Sequence, residues 1–89
     1  MDNHRLDRER LRLRRLQLRF SQQQLGIKIG HDQGYVSRLE RGEITDITVR
    51  TLARLADALD VSIDYLMNRT DDPTPATKRT RFRKTANVN

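Results

Sequence analysis

Gln33, Gly34, Ser37 and Arg38 are the most chemically suggestive group in this chain of 89 residues. Ser37 and Arg38 follow Gln33 and Gly34 by one helical turn, so a helix presents all four on one side. Small or hydrogen-bonding side chains in a row make a poor core face, but they suit the edges of nucleic-acid bases. A glutamine can pair in two-point fashion with adenine and an arginine with guanine. Ser37 can donate or accept, and Gly34 would let backbone or a thymine methyl come close. Asp32, just before them, is a helix cap whose position also lets it discriminate cytosine. The plain alternative for the set is a solvated helix face.

Such a face needs a helix to carry it and a second to brace it. Residues 22–29 and 32–41 supply the two, joined at Gly30, where a tight connection needs a left-handed backbone. Leu25, Ile29, Val36 and Leu39 are their inward positions. Ser21 with Gln24 forms a capping box for the first, and Phe20 can staple onto Leu25 or an earlier helix. Asp32 caps the second and Gly42 stops it. A preceding helix is expected over about 6–18, with Leu6, Leu11, Leu13, Leu16 and Leu18 apolar among arginines. Five leucines make a broad stripe, so one or two belong at the domain's edge. Thr48 caps a helix over 48–60 with a dense stripe of Val49, Leu52, Ala53, Leu55, Ala56 and Leu59. Ser62 caps a short last helix over 63–67. Beyond Thr70, prolines and then Lys78 to Lys84 replace apolar residues, so 70–89 reads as a disordered basic tail after a domain spanning 1–69.

Composition sets outer bounds. The formal net charge is +6 with a pI near 10.7, which favours a polyanionic partner. Residues 1–20 hold seven arginines against three acids and 71–89 five bases against two acids, flanking a near-neutral centre. The absence of cysteine excludes disulfides, thiolate catalysis and Cys-ligated zinc. No apolar run approaches the roughly 18 residues of a membrane span, and the arginine-rich start lacks a signal-peptide core. A cytoplasmic protein without membrane contact is expected.

Over residues 11–67 the chain resembles the phage repressor and Cro helix-turn-helix family, also called the Xre family. The resemblance is carried by RRLQLRFSQQQLG, the turn IGHDQ, YVSRLERG and TLARLADALDVSIDYLM. It implies an all-α, five-helix lambda-repressor-like DNA-binding domain with helix 32–41 in the major groove. Gly26 departs from the alanine usual there, which would cost up to about 1 kcal/mol of helix stability. His31 replaces a small or branched residue, and Arg19 stands where glycine is common, implying a positive φ.

The resemblance also assigns roles around the recognition helix. Gln22 is expected to meet a phosphate at a helix N-terminus and, as in relatives, to brace Gln33. Tyr35 fits a phosphate better than a base. Arg10, Arg14, Arg41, Thr45 and His31 are further candidates for phosphate contacts, with solvated charge as the alternative. Arg15 and Glu40 correspond to a structural ion pair joining helix 1 to the end of helix 3. One module covers only a short half-site, so two copies on a palindromic operator, about 34 Å apart, are expected. Ile44, Ile47, Tyr65 and Met67 are candidates for the seam of that homodimer, with core packing as the alternative. The tail bases Lys78, Arg79, Arg81, Arg83 and Lys84 form an arm that adds nonspecific DNA affinity or merely solubility.

Catalysis has no support: His4 and His31 lie apart, and no nucleophile–base set, phosphate-cradling loop or metal spacing occurs, so neither cofactor nor metal is expected. Three classes remain. The first is a sequence-specific double-stranded DNA-binding transcriptional regulator, foremost a repressor. The second is an antitoxin-like or anti-repressor module that binds a protein partner and DNA secondarily. An RNA- or membrane-surface protein is third, and the shortage of aromatic residues speaks against it.

Overall fold

Five helices follow one another along residues 5–75, the part of the chain described by this computed structural model. They are α1 (Arg8–Gln17), α2 (Gln22–Ile29), α3 (Gln33–Glu40), α4 (Val49–Leu59) and α5 (Ile63–Leu66). The described residues contain no strand, only an isolated antiparallel bridge between Arg5 and Asp46.

Every helix begins on a side-chain cap. Ser21 and Gln24 form the full reciprocal box, while Asp32, Thr48 and Ser62 each accept a backbone N–H three residues on. The first helix starts later than its leucine pattern suggests. Asp7 accepts from the N–H groups of Glu9 and Arg10, so α1 begins at Arg8 and Leu6 belongs to the arm before it. Stops are equally local. Gly30 (φ 78°) and Gly42 (φ 80°) take the left-handed conformation after α2 and α3, and Asp60 (φ 58°) takes it after α4. Arg19 holds φ 62° in the turn between α1 and α2, where the resemblance implied a positive value.

The two central helices pack on each other, α4 lies against α2, and α1 bridges α3 and α5. Leu25, Ile29, Val36 and Leu39 are fully buried, joined by Leu11, Leu52, Leu55, Leu59 and Leu66. Each such side chain contributes roughly 1.5–3 kcal/mol of burial free energy. Of the five leucines in the first segment only Leu11 is fully buried; Leu6 and Leu18 pack partly buried against the core, and Leu13 and Leu16 stay about half exposed, at 49% and 47%. A 10-residue helix resting on α3 and α5 presents too narrow a face for the whole stripe. Val49, counted into the α4 stripe, also faces outward, because it is the first helical residue after Thr48.

Gly26 has a reason that helix propensity misses. A β-carbon there would lie 2.9 Å from both the carbonyl carbon and oxygen of Asp32. The middle of α2 thus touches the backbone that caps α3, and the missing side chain sets how closely the two helices approach.

The C-terminal segment leaves the domain later than its composition suggests. Arg10 donates to the carbonyl of Thr70 (2.6 Å) and to Asp71 (2.7 Å), and the N–H of Ser62 donates to the carbonyl of Pro73 (3.0 Å). An N-cap residue's own N–H lies outside the helical ladder, so it is available for this bond. Thr70, Asp71 and Pro73 are therefore bonded to the helical domain. The basic arm at Lys78, Arg79, Arg81, Arg83 and Lys84 lies outside the described residues, as does His4.

Candidate nucleic-acid interface

The outer face of α3 carries Gln33, Gly34 and Arg38 exposed, with Ser37 half-buried beside them. Opposite them Val36 and Leu39 sink into the core, so the helix has one committed and one free side. Arg38 does more than share this face. Its Nη1 would lie 3.3 Å from a β-carbon on Gly34. The guanidinium therefore lies close over Gly34, where the glycine leaves it room. Arg41 donates to the hydroxyl of Ser37 and forms two bonds with Glu43, at 2.8 and 3.2 Å. The hydrogen bonds from Arg41 hold the Glu43 carboxyl below the usual carboxylate range, and Glu43 in turn raises Arg41.

Asp32 acts as the cap, its Oδ1 accepting from the N–H of Tyr35 at 2.9 Å. His31 stacks on Tyr35 with ring centroids 3.9 Å apart and planes 13° from parallel. The two rings thus form a shelf at the N-terminal end of α3. Gln22 departs from its expected brace: its Nε2 donates to Glu40 Oε1 at 3.1 Å rather than to Gln33. The reason is Arg15, which pins Glu40 within reach through Nε–Oε2 (2.6 Å) and Nη2–Oε1 (3.0 Å). The same guanidinium donates from Nη1 to the carbonyl of Phe20 at 2.8 Å. One buried arginine thereby holds α1, the start of α2 and the end of α3 in register, while Gln33 stays exposed.

A helix-turn-helix family model matches residues 11–66, well over half of the chain. The chain belongs to the helix-turn-helix family, of the Xre/Cro-C1 type. Among solved structures it is similar to the P22 c2 repressor protein in complex with synthetic operator 9T in the presence of Tl+. That match has 37% identity and a TM-score of 0.67, covering 73% of this chain and 97% of the repressor chain. It is also similar to the N-terminal DNA binding domain of SinR from Bacillus subtilis, at 28% identity and TM-score 0.63, over 67% and 87% of the two chains. The SinR–SinI complex matches at 22% identity and TM-score 0.65, over 91% and 79%, a likeness of fold alone.

In this helix-turn-helix protein α2 and α3 are the paired helices, and α3 is the recognition helix. Several residues expected at its DNA edge have other occupations. Arg10 donates from Nη1 to the carbonyls of Tyr65 and Thr70, pairs with Asp71, and lies 4.3 Å above the Tyr65 ring. Arg14 donates from Nε to the carbonyl of Leu59, at the end of α4, at 2.8 Å. Both cations serve the junction of α1 with α4, α5 and the C-terminal segment. Thr45 is exposed in the α3–α4 loop. Ile47 is a core residue, 6% exposed, and Ile44, Tyr65 and Met67 are half-buried against the same core. Of the four residues expected at a seam, the core therefore takes Ile47 fully, and Ile44, Tyr65 and Met67 each keep part of their surface exposed.

Sequence reasoning missed two features of this helix-turn-helix site. One is the Arg38–Gly34 fit, for which the i,i+4 spacing was the available signal. The other is the link from Gln22 to Glu40, which no local pattern encodes. Among the described residues no cluster of three or more His, Cys, Asp or Glu is placed to hold a metal, and no helix is long and apolar enough to cross a membrane.

Proposed function

We infer that this helix-turn-helix protein is a sequence-specific, double-stranded DNA-binding transcriptional regulator acting as a repressor. The observation that carries the reading is the outer face of α3. Gln33 and Arg38 are exposed there, on a helix whose rotation is set by the Arg15–Glu40 contact. Among the described residues neither side chain forms a hydrogen bond or close ion pair, Arg38 only adding to the field on Glu43. A major groove about 12 Å wide admits such a helix, and its N-terminal residues then meet base edges. Gln33 is assigned to adenine and Arg38 to guanine, with Ser37 and Gly34 completing the reading surface. The shelf of exposed His31 on half-buried Tyr35, together with Arg41 and Thr45, is assigned to the sugar–phosphate backbone.

The likeness to an operator-bound repressor, spanning nearly all of that chain, supports occupation of an operator as the mode of action. A homodimer on a palindrome remains part of the reading, since one recognition helix covers only a half-site. Repression follows when a bound dimer blocks access to a promoter.

Selection of duplexes from a random pool tests the reading. It predicts an inverted repeat whose half-site centres lie one helical turn apart, and binding at two chains per duplex. A pool that emerges without any shared sequence overturns it.

A further inference from the structure

A cleft of about 340 Å3 opens beside the C-terminal end of α3, between the arm that precedes α1 and the α3–α4 loop. Arg5, Arg8 and Arg41 line it with Gly42, Ile44 and Thr45, and no carboxylate is among the lining residues. Arg41 is already engaged by Glu43 and Ser37. Arg5 and Arg8 are exposed and form no ion pair among the described residues. Gly42 is what admits Arg8: a β-carbon there would lie 2.8 Å from its Nη1 and 3.0 Å from its Cζ. Two guanidinium groups without an ion pair among the described residues, at one cleft lined by no carboxylate, make a receptor for an oxyanion, whose oxygens match the planar fork of arginine.

Position then selects the anion. The eight residues of α3 span about 12 Å, close to the width of a major groove. With Gln33 at base edges, the other end of the helix, where Gly42 and the cleft lie, approaches a wall of that groove. The walls are phosphate.

We propose that this cleft holds one backbone phosphate of the bound duplex, with Arg5 and Arg8 as its ligands. The proposal rests on the DNA-binding reading and extends it to the arm before α1, whose arginines had no assigned role. A phosphate contact positions the protein without reading sequence. Arg5 and Arg8 therefore act on affinity for any duplex, while α3 acts on preference among duplexes.

The test is the salt dependence of binding, followed by fluorescence anisotropy on a pool-selected duplex and on a scrambled one. Arg8→Ala and Arg5→Ala should each flatten the plot of log affinity against log salt by about 1, and the double variant by about 2. Affinity should fall by the same factor on both duplexes. Arg8→Lys should restore most of the slope, and Arg8→Gln serves if the alanine variant unfolds in a urea titration. Slopes that match wild type in folded variants overturn the proposal, even where sequence preference persists. A flattened slope with no preference in wild type would leave the cleft standing and remove the operator reading instead. Titration with inorganic phosphate distinguishes a free-anion site. Phosphate binding lost in Arg8→Ala, with DNA slopes unchanged, also overturns the duplex assignment.

Discussion

Arg15 and Glu40 meet across the α1–α3 seam in a two-point contact, Nε to Oε2 at 2.6 Å and Nη2 to Oε1 at 3.0 Å, with side chains only 10% and 5% exposed. Each partner carries a second bond, from Arg15 to the carbonyl of Phe20 and from Gln22 to Glu40. The pair therefore sits where α1, the α1–α2 turn, α2 and α3 converge. Desolvation offsets much of the attraction of a buried pair, so its main product is geometry. The recognition helix cannot turn about its axis without breaking it.

Removing one partner strands the other. Glu40→Ala should lower stability by about 3–5 kcal/mol, read as a shifted midpoint in urea denaturation. The double variant Arg15→Met/Glu40→Leu should recover much of that loss while discriminating less well between duplexes. A double variant with wild-type discrimination would show that the pair does not orient α3.

Arg10 gives the opposite pattern to a phosphate ligand. Its guanidinium joins α1 to Tyr65, Thr70 and Asp71. Arg10→Ala should cost about 1–3 kcal/mol of stability, the scale of charge-assisted hydrogen bonds left unmade. The salt slope of DNA binding should stay unchanged. A slope lowered by about 1 would return Arg10 to the interface.

Gly26→Ala sets two effects against each other. Alanine gains up to about 1 kcal/mol of helix propensity. Its β-carbon must find room 2.9 Å from the Asp32 backbone, which cannot yield as a side-chain tip can. Overpacking should dominate, giving a net loss of about 1–3 kcal/mol by thermal or urea unfolding. A more stable variant would mean that α2 and α3 can separate freely.

Glu43 masks Arg41. Glu43→Gln removes a charge and weakens both Arg41 contacts, freeing that guanidinium beside the α3–α4 loop. Binding should tighten on every duplex and the salt dependence should steepen. Unchanged binding at low salt would place Arg41 outside the DNA contact.

Much of this was legible in the residue order, for identifiable reasons. Ser21, Asp32, Thr48 and Ser62 announce helix starts because capping is local chemistry, and α2 falls on the expected residues 22–29. Leu25, Ile29, Val36 and Leu39 were recognisable as core because their spacing admits one inward face. What depended on distant partners was not legible. Arg10 and Arg14 look like any surface arginine until α5 and the end of α4 arrive beside them. Ile47 looks like spare apolar surface until the core closes over it. Gly26 reads as a weak helix residue, because its value lies in the backbone of Asp32, six residues away.

The most direct measurement compares wild type and Gln33→Ala on a selected duplex and its single-base variants, at one salt concentration. A recognition helix that reads bases predicts a discrimination loss of about 1–3 kcal/mol at one base pair of the half-site, with preference elsewhere retained. An equal loss of affinity on every duplex would contradict it, and would make the outer face of α3 a surface that touches DNA without reading it.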